Sequence, residues 1–374
     1  LCIATLGMVF GVPAGLFGQR PVVLERVPNK GLQPQVQVDA EGAAHLVFFK
    51  GEDAGGDLFY ARRRVGEAHF GEATRINTTE GAAVATGTIR GAQLAVEPDG
   101  AVHVIWNGSR ATRLDERGGE LPLLYARRKP DAAEFEAERN LLDEAFGLDG
   151  GSSIAVDGNG RVYVAWHAGP GQENSRRVWL ARSQDHGHTF EKERAIDLEQ
   201  RGACGCCGMT ASVAPAGEVM VLYRSASEDV HRDMSLLTSA DHGNRFDSFK
   251  LHEWDIAACP MTSATIAHHG SRTWVAWETA GQIFLAVVSK GGLEIQPEPA
   301  PGSAARRKHP RMAINSKGEL LLVWTEGTGW KRGGRLAWQL YDSNGASQGE
   351  PGSAPGVSVW SFAAVSARED GGWT

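Results

Sequence analysis

Four cysteines are the residues of this chain best suited to chemistry. Cys204, Cys206 and Cys207 fall within four residues, and Cys259 lies 52 positions after Cys207. An even number of cysteines favours disulfides in an exported chain. The simplest pairing joins Cys207 to Cys259, closes a loop of about 50 residues and contributes about 3–4 kcal/mol. Cys204–Cys206, or an alternative pairing of the same thiols, would form a second, tight bridge.

The same four thiols could instead bind a metal ion. Thiolate sulfur is a ligand that copper and zinc both accept, and three thiolates close in sequence can share one ion. Further ligands could come from three residues that the predicted fold places nearby: Met209, Met261 and His309. The spacing differs from the two cysteine pairs of a standard zinc site. The sequence therefore leaves two interpretations open, disulfides and a copper or zinc site.

A second group of polar side chains lies at the borders of apolar stretches. Cations dominate this group, although the chain as a whole carries a net charge of −7. Such a set suits an anionic ligand, because guanidinium groups pair well with carboxylates. The candidate ligand-binding residues are Arg90, Asn107, His167, Arg224, Arg311 and Glu326. In the alternative interpretation, these residues only cap strand ends and contact water.

The elements that must position these residues recur six times along the chain. Each repeat is an apolar alternating stretch, a turn containing Gly, and a second alternating stretch that ends in an aromatic residue. The intervals between these aromatic residues are 58, 60, 57, 54 and 47 residues, counted over Phe48, Trp106, Trp166, Tyr223, Trp277 and Trp324. A period of this size built from strands predicts an all-β propeller with one blade per repeat.

Two more strands follow in each repeat, at 58–63 and 72–77 in the first one. Four antiparallel strands joined by hairpins make one blade. A lone strand predicted at 21–27 and a strand pair begun at 360–373 could pair and close the ring. This closure would either add a seventh blade or complete the sixth. Loops that enter first strands and leave second strands open on one face, which therefore collects the cysteines and the cationic group.

The turn between the third and fourth strands carries a specific motif. The segments 183–190 (SQDHGHTF) and 239–246 (SADHGNRF) share the pattern S-x-D-x-G-x-x-F. Its Asp can accept hydrogen bonds within the turn, and its Gly can take a positive φ. With this motif the chain resembles, from about residue 33 onward, the Asp-box (bacterial neuraminidase repeat) propellers of the sialidase superfamily. The resemblance implies a structural role, away from the active site, for Ser183, Asp185, Gly187, Phe190, Ser239, Asp241, Gly243 and Phe246.

The sialidase resemblance also implies a catalytic arrangement. Members of that family grip a carboxylate with three arginines and use a Tyr–Glu nucleophile pair with an Asp general acid. Here only Tyr223 and Glu278 could fill the nucleophile and activator roles. The chain departs from the family where an R-I-P motif is expected, because it has Leu32-Gln-Pro-Gln35 there. An anion clamp could come from Arg90, Arg224 and Arg311, and a two-carboxylate glycosidase could use Glu278 and Glu326.

Composition and charge limit the class of protein. The 374 residues are 42% hydrophobic and 22% charged, as in ordinary soluble proteins, and no basic stretch suits a nucleic acid. Residues 1–17 are apolar and uncharged and are typical of the later part of a secretory signal, and they include Cys2. They are too short for a stable membrane span, which needs about 20 apolar residues. We therefore expect a signal remnant at 1–18 and one propeller domain at 19–374, in a chain that is a fragment at both ends.

Together these patterns favour one function and leave two alternatives. The favoured function is that of an exported, periplasmic or extracellular, sialidase-like propeller that binds a carbohydrate or other anionic ligand. Whether it also hydrolyses that ligand, as an exo-sialidase would, is open. The first alternative is a non-catalytic, disulfide-stabilised scaffold with a protein partner, and the second is a metal or redox protein that uses the cysteines.

Overall fold

Strands are the main regular elements of the part of the chain that the structure describes. The computed structural model describes residues 22–113, 121–303 and 306–374. These residues form six sheets, each of four antiparallel strands in chain order. The described residues contain no α-helix, only 3-10 turns such as Pro28–Lys30, Arg110–Thr112 and Glu173–Ser175. No helix among them has the length and apolarity needed to cross a membrane.

The strands of each blade follow one another from the centre outward. The first strands are β1 (Leu32–Val38), β5 (Gln93–Val96), β9 (Ser153–Val156), β13 (Thr210–Val213), β17 (Ala264–His269) and β21 (Arg307–Ile314). The second strands are β2 (Ala44–Glu52), β6 (Val102–Asn107), β10 (Val162–Ala168), β14 (Val219–Arg224), β18 (Arg272–Thr279) and β22 (Leu320–Glu326). The third strands are β3 (Gly55–Arg63), β7 (Leu123–Arg128), β11 (Arg177–Ser183), β15 (Met234–Ser239), β19 (Gln282–Ser289) and β23 (Gly334–Tyr341). The fourth strands are β4 (Thr74–Arg75), β8 (Arg139–Asn140), β12 (Arg194–Ala195), β16 (Asp247–His252), β20 (Gly292–Pro299) and β24 (Ser347–Val357).

The six sheets form a β-propeller, as the repeat predicts. Consecutive first strands contact each other from β1 through β5, β9, β13 and β17 to β21, so these strands line the centre. The repeated aromatic residue of each second strand is at most 2% exposed, and from the second blade onward it packs against the preceding sheet. Trp106, for example, lies in one cluster with Val47 and Leu58 of the preceding blade. This regular packing explains why every repeat keeps an aromatic residue at that position.

The two ends of the described chain meet between the sixth and first blades. Val23 N donates to Trp373 O at 2.9 Å, and Gln33 N donates to Ser361 Oγ at 3.0 Å. Trp373 also packs on Leu321 and Val323 of β22. The sixth blade already has its four strands, so the end segments form a separate partial element. A cavity of about 590 Å³ separates this element from the outer face of the first blade.

The predicted signal remnant at residues 1–18 lies wholly outside the described residues, which begin at residue 22. Export and the proposed division at residues 18 and 19 stay predictions. Strand prediction was less accurate at the blade edges, where the fourth strand expected at 72–77 is only Thr74–Arg75. Outer strands have no neighbouring blade strand on one side, so fewer contacts fix their length.

Candidate functional site

The face that carries the entrances of the first strands has an unusual backbone. Three of these entrances have a left-handed residue that is not glycine: Gln33 (φ 52°), Met261 (φ 52°) and His309 (φ 53°). Trp360 (φ 58°), in the C-terminal segment beside them, is left-handed too. At Gln33 and His309 the pairing register shifts, as in a β-bulge. Bulges at a rim change the direction of side chains. A left-handed backbone is uncommon at residues other than glycine, and such residues cluster at functional sites. We call this rim the channel mouth.

The loop before β5 crosses the channel mouth. Thr88, also left-handed with φ 63°, places its Oγ1 3.3 Å from Nε2 of His309 in the sixth blade. Ile89 reaches the third blade, where a Cβ on Gly151 would lie 2.2 Å from the Ile89 carbonyl oxygen. Gly151 is therefore required by a close backbone approach. The loop links blades on opposite sides of the ring and narrows the mouth.

The cysteines lie together beside this mouth. The Sγ atom of Cys204 is 3.5 Å from that of Cys206 and 3.4 Å from that of Cys207. All three sulfurs lie within 4.8 Å of one another. Cys259 is exposed, and its sulfur lies within 4.8 Å of Cys206 and of a Glu173 carboxylate oxygen. The sequence brings three of these thiols together by spacing alone, and the fold adds the fourth.

The predicted disulfides are absent from the structure. All four described cysteines are free thiols, and separations of 3.4–3.5 Å far exceed a sulfur–sulfur bond of about 2.05 Å. The expected partner of Cys207 was Cys259, but Cys259 approaches Cys206 instead. Cys207 precedes β13 and Cys259 precedes β17, so they occupy equivalent positions in neighbouring blades. Equivalent positions on one rim need not bring two side chains into contact.

Backbone contacts hold the cysteine loop in place. Cys204 N donates to Arg224 O at 2.9 Å, and Cys207 N donates to Cys204 O at 3.2 Å. Gly205 N donates to Glu173 Oε1 at 2.8 Å. A Cβ on Gly205 would lie 2.3 Å from Nη1 of Arg176, so only glycine allows that guanidinium to cover the loop. The thiols therefore sit on a rigid frame.

The environment of Cys207 favours its thiolate. Burial alone would oppose ionisation, but hydrogen bonds from the Cys204 and Cys206 thiols and the charge of Arg224 outweigh it. Together they hold the pKa of Cys207 well below its ordinary value. A low thiol pKa beside a guanidinium is typical of reactive or metal-binding cysteines.

Arg224, one of the predicted ligand-binding residues, uses its donors within the protein. It is 2% exposed, donates to Arg232 O at 2.5 Å and also donates to the backbone oxygen of Glu278. Its guanidinium lies 4.9 Å from the centre of the Trp254 ring. Arg224 therefore connects the cysteine loop to the end of β18 and leaves little capacity for a ligand.

Glu278 is the carboxyl group at this rim with spare hydrogen-bonding capacity. Its Oε1 accepts from Gly281 N at 2.5 Å, while its buried Oε2 has no partner among the described residues. Burial raises the pKa of Glu278 to about 7. Such a group is protonated in weak acid and can donate a proton near neutrality.

Two cations at the sixth blade have no acidic partner. Neither Arg311 nor Lys308 forms an ion pair with any described carboxylate, and Lys308 Nζ donates instead to the backbone oxygens of Pro260 and Met261. Arg311 Nη1 donates to Ser263 Oγ at 3.2 Å, and its guanidinium lies 4.8 Å from the Phe362 ring centre. Burial lowers the pKa of Arg311 to about 10, which leaves it charged at neutral pH. Burial, then these two charges, lower the pKa of His309 to about 3.

The remaining predicted residues have structural partners. Arg90 pairs with Asp149, which also pairs with Arg176 at 3.0 Å. Asn107 Nδ2 donates to Gly150 O at 2.9 Å. His167 is buried, its Nε2 lies 3.3 Å from Cys207 O, and burial lowers its pKa to about 4. These residues hold the loops of the second to fourth blades around the cysteines.

The structure separates the two residues that the sialidase resemblance pairs. Tyr223 is 2% exposed in the core between the third and fourth blades, where burial raises its pKa. Strand alternation turns its ring away from the rim that Arg224 faces. Glu326, the other candidate carboxylate, accepts from Arg307 Nε at 3.2 Å and Trp324 Nε1 at 3.0 Å.

The opposite face holds the two motif turns. Asp185 Oδ1 accepts from Thr189 N at 2.8 Å, and Asp241 Oδ1 accepts from Arg245 N at 2.9 Å. The serine hydroxyls of Ser183 and Ser239 accept from Gly187 N at 2.8 Å and Gly243 N at 2.9 Å. Phe190 packs edge-on against Tyr125, and Phe246 packs in the next interblade cluster. These contacts are local or between blades, and none faces the channel mouth.

Sequence analysis missed a buried network on this opposite face. Asp39 Oδ2 lies 2.8 Å from His45 Nε2, and His45 Nδ1 lies 2.8 Å from the Tyr60 hydroxyl. The second blade repeats the arrangement with Glu97, His103 and Tyr125. A histidine three residues before the terminal aromatic residue in both repeats was the signal that could have found it.

No protein-family model matches this sequence, and no curated protein is significantly similar to it. Solved structures resemble it in shape. A protein of unknown function from Dyadobacter fermentans is 13% identical, with 87% of this chain and 94% of that chain covered and a TM-score of 0.55. An α-L-arabinanase from Penicillium chrysogenum, complexed with arabinobiose, is 12% identical over 86% of this chain and 95% of that chain, with a TM-score of 0.55. A Hadza microbial sialidase is 14% identical over 84% of this chain and 70% of that chain, with a TM-score of 0.51. The chain thus has a sialidase-like propeller fold, and at these identities the likeness concerns the fold alone.

Proposed function

We propose that this propeller binds an anionic carbohydrate at the channel mouth, with Arg311 and Lys308 supplying the positive charge. The observation that carries the proposal is the Arg311 guanidinium, which is partly buried beside Phe362 without a carboxylate partner among the described residues. Charged groups removed from water are normally paired. An anion from outside the chain would complete this site.

The chemistry of the two cations defines the ligand. A guanidinium presents parallel N–H donors that match a carboxylate or sulfate, and an ammonium adds a point charge. Other cations of the described surface, such as Arg272, also lack an ion pair, but Arg311 differs from them because it is partly buried beside Phe362. A carbohydrate carrying a carboxylate or sulfate would place its anion at Arg311 and its hydroxyl groups at the polar rim.

Solved propellers of this shape support the carbohydrate class. The names of the similar structures include a sialidase and an arabinanase holding arabinobiose. They also include a polysaccharide lyase bound to a repeat of glucuronate and rhamnose 3-sulfate, which is 9% identical with a TM-score of 0.52. Because a fold does not by itself fix the ligand, the ligand is argued from Arg311 and Lys308.

Binding has more support than hydrolysis. Glycosidases with two carboxyl groups need both groups free at the glycosidic bond. Of the two nominated here, Glu278 has an oxygen without a partner, whereas Glu326 is held by Arg307 and Trp324. Tyr223, the nominated nucleophile, is buried in the core. We therefore propose a carbohydrate-binding protein in which Arg311 and Lys308 contact the ligand, whereas Glu278, which is 2% exposed, does not.

Calorimetric titration with sialic acid, glucuronic acid, sulfated oligosaccharides and their neutral counterparts tests the proposal. We expect binding of an acidic member and none of its neutral counterpart. The Arg311→Ala substitution should weaken binding at least about 10-fold, because one charge-assisted bidentate contact contributes about 1.5–3 kcal/mol. The Arg311→Lys substitution should restore part of the loss.

Arg272→Ala is the matched control. It removes the same charge from an exposed arginine on the opposite face, whose Nη1 donates to Ser343 O at 2.7 Å. Equal losses with Arg272→Ala and Arg311→Ala would mean that net charge, not the channel mouth, attracts the ligand. Full affinity of the Arg311→Ala variant would exclude the proposed site.

A further inference from the structure

We propose that Cys204, Cys206 and Cys207 together bind one Cu(I) ion. This site is separate from the anion site at Arg311, and it does not depend on carbohydrate binding. The three sulfurs already lie within 4.8 Å of one another without a disulfide between them. Copper and zinc are the metals that soft thiolate ligands select.

The sulfur separations match three ligands around one ion. Metal–thiolate bonds are about 2.3 Å long, so three sulfurs in a plane around one ion are about 4 Å apart. Cys204 Sγ is 3.5 Å from Cys206 Sγ and 3.4 Å from Cys207 Sγ. An expansion of about half an ångström would thus suffice for binding, and side-chain rotation alone can supply it.

The loop is held in this form by contacts that do not involve sulfur. The backbone N–H groups of Cys204, Gly205 and Gly208 donate to Arg224 O, Glu173 Oε1 and Thr262 O at 2.8–2.9 Å. Gly205 separates Cys204 from Cys206, and Gly208 follows Cys207. A Cβ on Gly205 would collide with Arg176. A frame fixed in advance lowers the cost of ordering ligands around an ion.

The number of ligands favours copper over zinc. Protein zinc sites are almost always four-coordinate. Among the described residues, Cys259 lies near Cys206 but does not join the group of three mutually close sulfurs. Glu173 is occupied, because its oxygens accept from Gly205 N at 2.8 Å and from Arg232 Nη2 at 2.6 Å. Cu(I), a soft ion with a filled d shell, is satisfied by three thiolates.

Neighbouring cations balance the charge of the complex. One Cu(I) ion with three thiolates carries a net charge of −2, and its binding releases every proton that the three sulfurs still hold. The Arg224 guanidinium acts on Cys207, and the Arg176 guanidinium covers Gly205. The Nε atoms of Arg224 and Arg176 have no hydrogen-bond partner among the described residues, and Arg176 also pairs with Asp149 and Glu173. Such outer groups commonly support metal-bound thiolates.

The test is an anaerobic titration of the reduced full chain with Cu(I), against a chromogenic Cu(I) chelator as competitor. We expect one Cu(I) per chain and a sulfur-to-copper charge-transfer absorption in the ultraviolet. X-ray absorption should show three sulfur neighbours per copper. The Cys206→Ser substitution should weaken binding at least about 100-fold, since it removes one of three ligands.

Cys259→Ser is the matched control, because it removes the exposed neighbour and leaves the three proposed ligands. Its Cu(I) affinity should stay within about threefold of the parent chain. Cys207 is buried, so the Cys207→Ser substitution could unfold the chain. The test therefore uses Cys206, which is half-buried, and thermal unfolding of Cys206→Ser verifies that this variant is folded. Absence of Cu(I) binding by the reduced chain would overturn the proposal. Equal loss in Cys206→Ser and Cys259→Ser, four sulfur neighbours, or stoichiometric zinc that Cu(I) fails to displace would overturn it as well.

Discussion

At the scale of single residues, burial determines the chemistry of the channel mouth. It raises the pKa of Glu278 to about 7 and lowers that of His309 to about 3. At neutral pH the histidine is therefore uncharged, and the carboxyl group is divided between its two forms. The positive charge of the rim thus comes from Arg311 and Lys308, not from histidine.

Glu278 should make the stability of the protein depend on pH. Its ordinary pKa is 4.5 and its folded pKa about 7, so between these values the folded chain retains a proton that the unfolded chain releases. The stabilisation is complete below pH 4.5 and is lost as the pH rises through 7. Over that interval, the advantage of the parent chain over Glu278→Gln in free energy of unfolding should fall by about 3 kcal/mol.

Urea unfolding of both proteins from pH 4 to pH 8.5 measures this difference directly. Other titrating groups, including His167 and His309, are shared by the two proteins and cancel in the comparison. Parallel stability curves for the parent chain and the glutamine variant would contradict the burial of an ionisable Glu278.

At the scale of elements, the hairpin turns on the opposite face connect neighbouring blades. The turn between β11 and β12 places Gly187, with φ 75°, against the Tyr125 ring of the second blade. Arg127 Nη1 donates to His186 O in the same turn at 2.7 Å. The turn therefore does more than reverse the chain, because it contributes to the interface between two blades.

Substitution of Gly187 by alanine should be strongly destabilising. A Cβ there would lie 1.9 Å from the Tyr125 hydroxyl, in addition to the strain of a positive φ. We expect a loss of about 3 kcal/mol or more in the free energy of unfolding. Gly217→Ala is the control, since Gly217 has φ 88° with nothing within 4 Å of the added Cβ.

The control variant should lose only about 1 kcal/mol, the conformational part of the cost. Chemical denaturation of both variants separates that part from the collision with Tyr125. Similar losses in the two variants would show that the turn does not pack against the second blade.

At the scale of the whole molecule, the two chain ends join the sixth blade to the first. Val22 pairs with Trp373, and Gln33 Nε2 donates to Trp360 O at 2.8 Å. Trp373 is 2% exposed and packs on β22. Among the described residues, short segments and not a four-stranded sheet connect the sixth blade to the first at this point.

Removal of the Trp373 side chain should loosen this junction first. We expect Trp373→Ala to cost about 3–5 kcal/mol, as for other buried tryptophans. Amide hydrogen exchange should accelerate in 22–27 and 360–374 before it changes in the second to fifth blades. Leu198→Ala, at a side chain of the third blade that is 74% exposed, should cost less than about 1 kcal/mol and leave these segments protected. Uniform exchange across all blades in Trp373→Ala would contradict a weak junction.

The sequence by itself determined the architecture of this protein. Blade number and the antiparallel order of strands follow from alternation, turn residues and a repeated terminal aromatic residue, all of which act within one repeat. Burial of Trp106, Trp166 and Trp277 in the interblade core follows from the same pattern. The close spacing of Cys204, Cys206 and Cys207 likewise made them neighbours whatever the rest of the chain did.

Only the tertiary structure decided which polar groups are available at the channel mouth. Arg224 and Arg311 occupy similar places in the sequence pattern. Arg224 donates hydrogen bonds to the backbone oxygens of Arg232 and Glu278, whereas Arg311 has no acidic partner among the described residues. The disulfide predicted for Cys207 and Cys259 fails for the same reason. Hydrogen bonding, ion pairing and pKa values depend on distances between side chains about 50 residues apart, which strand periodicity does not encode.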